Sequence, residues 1–168
     1  MTARFEFDGM NPSDLAASFE ALPDALNSRL EGAAQDIAER IEGQAKQNAP
    51  VDRGASGGLI SRIESVVEAV GETLIEIRVG SNADQAAPME YGTDPFFPPP
   101  SELRGWARRV LGADDPETAA FLVARKISET GIDAQPYLRP AFEENLEWAL
   151  DRINDAVTEA FGDVGFDV

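Results

Sequence analysis

"ETLIEIRVGS", residues 72–81, is the stretch that decides the fold class. Ile75, Ile77 and Val79 fall on one side of an extended chain, and Glu76 and Arg78 fall on the other. That is a period of two, the mark of a half-buried strand. The run before it, "SRIESVVEAV" (61–70), has the same length and is joined to it at Gly71-Glu72. Two such runs across a short turn predict an antiparallel hairpin. Without it, the rest of the chain would read as all helix.

On the N-terminal side the period changes. From Asp24 the apolar positions are Leu26, Leu30, Ala33, Ile37, Ile41, Ala45 and Ala49, in steps of three and four. They make one face of a long helix. It ends at Asn48-Ala49-Pro50, because a residue before proline avoids the helical region. A shorter helical segment precedes it, capped by Ser13 and running to Leu22, where Pro23 kinks or restarts the chain. Residues 1–12 read as an arm in which Phe5 and Phe7 alternate with charged residues. "VDRGASGGL" (51–59) reads as a glycine-rich link between helix and sheet.

Beyond the hairpin, residues 82–100 include "APMEYGTDPFFPPP" (87–100), which lacks both strand alternation and helical spacing. Its prolines favour a stiff, extended path, with a turn at Gly92. A stiff segment loses little entropy on docking, and aromatic residues are common interface anchors. We therefore expect one ring turned inward and the rim facing a partner. "PPSELRGWARRVLG" (99–112) follows as a short helix capped by Ser101 and stopped by Gly112. A further helix starts at "ADDPE" (113–117), "IDAQPYL" (132–138) is extended, and a last helix begins at Pro140. That helix places Phe142, Leu146, Ala149, Ile153, Val157 and Ala160 on one face, and residues 162–168 read as a flexible tail. The fold class is α+β: long N- and C-terminal helices on a small antiparallel sheet, in one domain over 13–161.

Composition removes several functions. The chain has 168 residues, no cysteine and no histidine, so histidine triads and the usual zinc sites are excluded. No apolar run is long enough to span a membrane, and "MTARFEFDGM" lacks the core of a signal peptide. Asp114-Asp115 reads as a helix cap before Pro116 rather than a cation site. Gly54, Gly57 and Gly58 lack the lysine and preceding strand of a phosphate loop. No catalytic, metal or cofactor residue is expected. Arg104, Arg108 and Arg109 form a basic cluster beside Trp106, expected to pair with acids of this chain or a neighbour.

The four ordered blocks resemble the tail-completion, or head–tail joining, proteins of tailed double-stranded DNA phages. "APVDRGASGGLISRI" (49–63) is similar to that family's "APVDTG-x-L-x-x-S-I". "VGSNADQAAPMEYGT" (79–93) resembles "VG-x-x-x-x-YA-x-x-x-EYGT", and "PFFPPPSELRGWARRVLG" (95–112) resembles "PHFPP-x-x-x-L-x-x-W". "AFLVARKISETGIDAQPYLRPAFEE" (120–144) resembles the ending in "PFLRPA". The departures are Arg53 for threonine, Phe96 for histidine, and Ala86-Ala87 in place of an aromatic.

The resemblance implies a non-enzymatic virion protein of the neck, assembled in the host cytoplasm as a ring, commonly six-fold. Its partners would be copies of itself, neighbouring neck proteins and a tail terminator or tail tube. Viral DNA would pass through the lumen without specific binding. Tyr91, Gly92, Pro136, Leu138 and Arg139 match positions that define the fold or form interfaces. The expected interface residues are Met89, Tyr91, Phe96, Phe97, Pro98, Trp106, Arg108, Tyr137 and Arg139. A tail terminator capping the tube is an alternative, and an acidic DNA mimic that inhibits a nucleic-acid enzyme is one of another class. The mimic would concentrate its acids on one face, whereas here they are scattered over every helix.

The net charge is −17, from 31 acids and 14 bases, of which only Lys46 and Lys126 are lysine. So acidic a chain is a poor phosphate binder. Carboxylates ~6 Å apart in water repel by ~0.7 kcal/mol, and molar salt shortens the screening length to ~3 Å. Such a lysine-poor, acid-rich surface fits a salt-loaded cytoplasm, and with the resemblance it points to a virus of a salt-adapted archaeal host. We expect the melting temperature to rise steeply between ~0.1 M and molar salt, where screening removes the repulsion. A melting temperature that stays flat in a salt series would refute this reading.

Overall fold

The computed structural model describes residues 11–50, 58–70 and 74–166. The N-terminal arm to residue 10, most of the glycine-rich link (51–57), the hairpin turn (71–73) and the last two residues of the tail lie outside them. The chain runs α1 (Pro12–Asn48), a single 3-10 turn (Ile60–Arg62), β1 (Ile63–Val70), β2 (Leu74–Ser81), α2 (Ala86–Tyr91), α3 (Pro100–Val110), α4 (Pro116–Thr130) and α5 (Leu138–Asp163). β1 and β2 form a two-stranded antiparallel sheet, and Ile75, Ile77 and Val79 are less exposed than Leu74, Glu76 and Arg78. The α+β class is as expected.

Three local expectations are corrected. α1 is continuous through Pro23. A proline inside a helix forfeits one backbone bond and costs about 3 kcal/mol. Here the helix is held on both sides of it: the Ser18 hydroxyl donates to the Val164 carbonyl at 2.6 Å, and Arg29 reaches Asp163 and Glu159. The N-cap is Asn11 rather than Ser13; its side-chain oxygen accepts from the N–H groups of Ser13 and Asp14, both at 3.0 Å. Pro12, which has no N–H to leave unsatisfied, takes the first helical position. α3 likewise starts one residue before Ser101, with Pro99 as cap and Pro100 at the first turn.

The chain divides into two compact units. The first comprises Met1–Ile37, Val67–Ile77 and Leu146–Val168. In it the start of α1 lies antiparallel to the end of α5. Arg29 binds Asp163 through two guanidinium nitrogens at 2.7 and 2.8 Å and Glu159 at 2.9 Å; Arg152 binds Asp36 at 2.8 Å. These pairs are largely solvated, and such pairs contribute roughly 0–1 kcal/mol each. The packing beneath them does more. Ala33, Ala34 and Ile37 of α1 are buried, as are Ala149, Ala156 and Ala160 of α5. The helix ends at Asp163, and residues up to Phe166, read from sequence as tail, turn back so that the Phe166 ring meets Phe19 and Phe161 at 5.4 and 5.9 Å.

The second unit comprises Ala38–Val66 and Arg78–Asn145. Glu42 ties helix to sheet here. Its carboxylate accepts the Ser65 N–H at 2.7 Å and also meets Lys46, and these partners hold its pKa below the usual carboxylate value. Arg40 donates to the Asn145 side chain at 2.7 Å. α4 is capped by Asp115, which accepts from the N–H groups of Glu117 and Thr118, the role expected of the Asp114-Asp115 pair.

The expected apolar face of α5 is buried at Ala149 and Ala160 but not at its bulky positions. Ala141, Asn145, Ala149, Ala156 and Ala160 are buried, while Phe142, Leu146 and Ile153 are 40%, 61% and 39% exposed. Small residues allow the backbones to approach closely, and that leaves the bulky residues on the flank. We expect Ala156→Leu to cost about 1–3 kcal/mol through overpacking. Its midpoint in denaturant should fall, and an unchanged midpoint would show that this face is not tightly packed.

Candidate functional site

The stretch that carries the aromatic loop starts in a helix, not in a loop. Residues 86–91, expected to be irregular, form α2, because Pro88 sits in its first turn where a missing N–H leaves no bond unmade. α2 ends at Gly92, whose φ of 74° is the left-handed conformation that glycine tolerates. α4 ends in the same way at Gly131, also at 74°. The two chain exits pair. The Thr93 N–H donates to the Ile132 carbonyl at 2.9 Å, and the Ile132 N–H donates to the Thr93 hydroxyl at 3.1 Å. A Cβ on Gly131 would lie 2.1 Å from the Thr93 carbonyl oxygen, so no other residue fits there.

Glu90 locks this clasp. It is 4% exposed, yet its carboxylate is not idle. It accepts the N–H groups of Tyr137 and Leu138 at 2.8 Å and that of Arg139 at 3.0 Å. These are the free donors at the start of α5, and the next residue, Pro140, has none to satisfy. The positive end of the helix faces the carboxylate as well. Burial, the largest influence, pushes the Glu90 pKa up, but the three N–H bonds and the charge of Arg139 outweigh it, and the net shift is downward. Beside it, the Met89 carbonyl accepts the Gln135 N–H at 2.7 Å. Tyr137 is fully buried, and burial together with the nearby Glu90 charge raises its phenol pKa.

From this base the chain leaves toward solvent. Phe96 and Phe97 are 45% and 53% exposed, and Pro98 between them and α3 is buried. The Phe97 ring meets Phe121 of α4 edge-on, 6.2 Å between centroids. Phe121 and Leu122 are themselves half exposed. Neither ring of the loop is turned fully inward, contrary to the expectation for one of them. Tyr91 is 71% exposed; Arg108 and Arg139 are exposed; Met89 and Trp106 are half-buried. Tyr137 and Pro98 belong to the interior, so they support a surface rather than form one. Arg104 pairs with Glu117 at 2.8 Å, as expected of one of the clustered arginines.

Sequence reading missed Glu90 and Phe121. Glu90 was legible only as an acid within the apolar "APMEYG" run. No helix among the described residues is long and apolar enough to cross a membrane.

Residues 13–92 match a known family model. It is described as "Bacteriophage HK97-gp10, putative tail-component" and takes in α1, the hairpin and α2, just under half of the chain. Over these residues the chain is similar to a phage tail component. It stops at Gly92, so the partners of Glu90 at the start of α5 lie beyond it. No curated protein and no solved structure matches the chain significantly.

Glu90→Ala leaves one buried and two partly buried N–H groups without this acceptor, which should destabilise the protein by about 2–4 kcal/mol. Glu90→Gln keeps an acceptor oxygen and should lose less. Because the Glu90 pKa is lowered on folding, its stabilisation is complete above the unfolded value of ~4.3 and fades as pH falls through the folded value. Stability measured between pH 7 and 3 should therefore drop less in Glu90→Gln than in the parent. Parallel curves would refute the capping role.

Proposed function

We propose that this protein is a structural component of the virion neck, forming a ring at the head-proximal end of the tail and joining the tail to the DNA-filled capsid. A six-fold ring is the proposed form, with neighbouring neck proteins and a tail terminator or tube as its axial contacts. DNA passes through the lumen without specific contacts, which the net charge of −17 favours. The virus infects a salt-adapted archaeal host, in keeping with a chain that has two lysines among its 14 bases.

The observation that carries this reading is the exposed Phe96–Phe97 corner on a buried, hydrogen-bonded base. A chain working alone has no need to present two half-exposed phenylalanines on a proline-flanked turn. Preorganisation of this kind lowers the entropy lost on binding. The scaffold up to Gly92 is the part that matches a tail component.

The test is assembly in molar salt, followed by native mass spectrometry and particle imaging. The parent should form closed rings. Truncating a buried interface aromatic commonly costs ~2 kcal/mol or more, roughly thirtyfold in affinity. The double change Phe96→Ala, Phe97→Ala should therefore yield a monomer that melts like the parent but does not assemble. Rings of normal affinity in the double variant would remove the corner from the interface.

A further inference from the structure

The inner side of the hairpin is incompletely covered. Ile75 and Ile77, the residues that strand periodicity turns inward, are only half-buried. They open into a groove of about 630 Å³ in the first unit, lined also by Leu30, Ala34 and Ile37 of α1 and Ile153 of α5. Its size falls within the roughly 300–1,000 Å³ of ordinary binding pockets. Leu74 and Ile153 at its margin are 56% and 39% exposed.

The α1 wall extends beyond the groove. Pro23, Asn27, Leu30, Ala34 and Ile37 all line it and recur in steps of three and four, so they form one stripe of the helix. One turn nearer the N-terminus the same stripe holds Phe19, which is 58% exposed. The stripe deepens along its length: Pro23 and Asn27 are exposed, Leu30 is half-buried, and Ala34 and Ile37 are buried. It is a track that begins near the start of α1 and descends into the groove. Pro23 adds a polar feature to it. Proline gives the Phe19 carbonyl no N–H, so this face carries a backbone acceptor whose helical donor is missing.

The segment joined to that end of α1 is residues 1–10. Within it, "ARFEFD" (3–8) puts Ala3, Phe5 and Phe7 on one side of an extended chain and Arg4, Glu6 and Asp8 on the other. The other segments outside the described residues, 51–57, 71–73 and 167–168, hold no aromatic residue. The reach fits as well. Phe7 and Phe5 precede Pro12 by five and seven residues, ~17 and ~23 Å of extended chain. Pro23 and Asn27 lie ~17 and ~22 Å along α1 from Pro12. A turn at Gly9-Met10 shortens the path, which sets Phe7 beside Phe19 and Phe5 near Pro23. A segment tethered this close to its site has an effective concentration on the order of millimolar, far above that of a separate partner.

We propose that residues 3–8 fold back along the Phe19–Pro23–Asn27 stripe of their own chain, with Phe5 and Phe7 covering the open end of the groove. This docking is independent of ring formation.

The chain has no cysteine, so engineered thiols report without background. A disulfide forms only when the Cβ atoms come within about 3.5–4.5 Å. Ala3→Cys keeps both rings and lies on their side of the arm. It would be combined with Asn27→Cys, on the stripe, or with Ser28→Cys, which is equally exposed but on the neighbouring face of α1. In dilute protein at molar salt, mild oxidation should close an internal disulfide roughly tenfold faster with Asn27→Cys than with Ser28→Cys. Adding Phe5→Ser and Phe7→Ser should abolish that advantage while the helical circular dichroism stays that of the parent. Equal rates at the two positions indicate a loose tether and overturn the proposal. An advantage that survives the serine changes overturns it as well. Linkage that forms only between chains, in the double variant or in a mixture of the Ala3→Cys and Asn27→Cys single variants, also overturns it and assigns the stripe to the arm of a neighbouring copy.

Discussion

A single carboxylate organises the second unit. Glu90 leaves water, which disfavours its charge, and finds three backbone donors at 2.8–3.0 Å. Each side solves the other's difficulty. The start of α5 has N–H groups with no helical partner, and the buried acid has a charge with no solvent. Once they meet, α2 and α5 are fixed, and so are the two glycine turns between which Thr93 and Ile132 pair. Phe96 follows Thr93 by three residues, so the aromatic corner is anchored next to a largely buried hydrogen-bond arrangement.

That arrangement joins two separate blocks of sequence. Glu90-Tyr91-Gly92-Thr93 and Pro136-Tyr137-Leu138-Arg139 are distant in the chain but form one object. The acid supplies acceptors, the glycine supplies the turn, and Pro140 lowers the number of donors needing an acceptor. Arg139 adds a favourable charge near the carboxylate.

Local periodicity made much of the fold legible. The hairpin and the inner face of α1 are where their spacing put them, because each depends on a repeating pattern within one element. The readings that failed involved relations between elements. Pro23 read as a kink or a restart, and the restart is overturned: the helix runs on through it, with contacts on both sides. The bulky residues of α5 read as its inner face, since size and apolarity normally go together. Close approach reverses that rule and puts alanine inside. The role of Glu90 was invisible for a similar reason: its partners are backbone groups, which leave no trace in residue types. The exposed site was readable in part. Proline and phenylalanine announced a stiff corner, but the ring of Phe121 beneath Phe97 comes from a helix 24 residues further on.

The Glu90 cap also sets an order of events. Its donors lie 47, 48 and 49 residues downstream. At a synthesis rate of about 5–20 residues per second, the acid waits several seconds on the ribosome before they exist. During that interval the aromatic corner has been made but has no fixed base. A nascent or truncated chain therefore lacks a settled corner, and only a chain extended past Arg139 presents it in one geometry. Settling of the corner therefore waits on the start of α5 rather than on the residues that carry the corner itself.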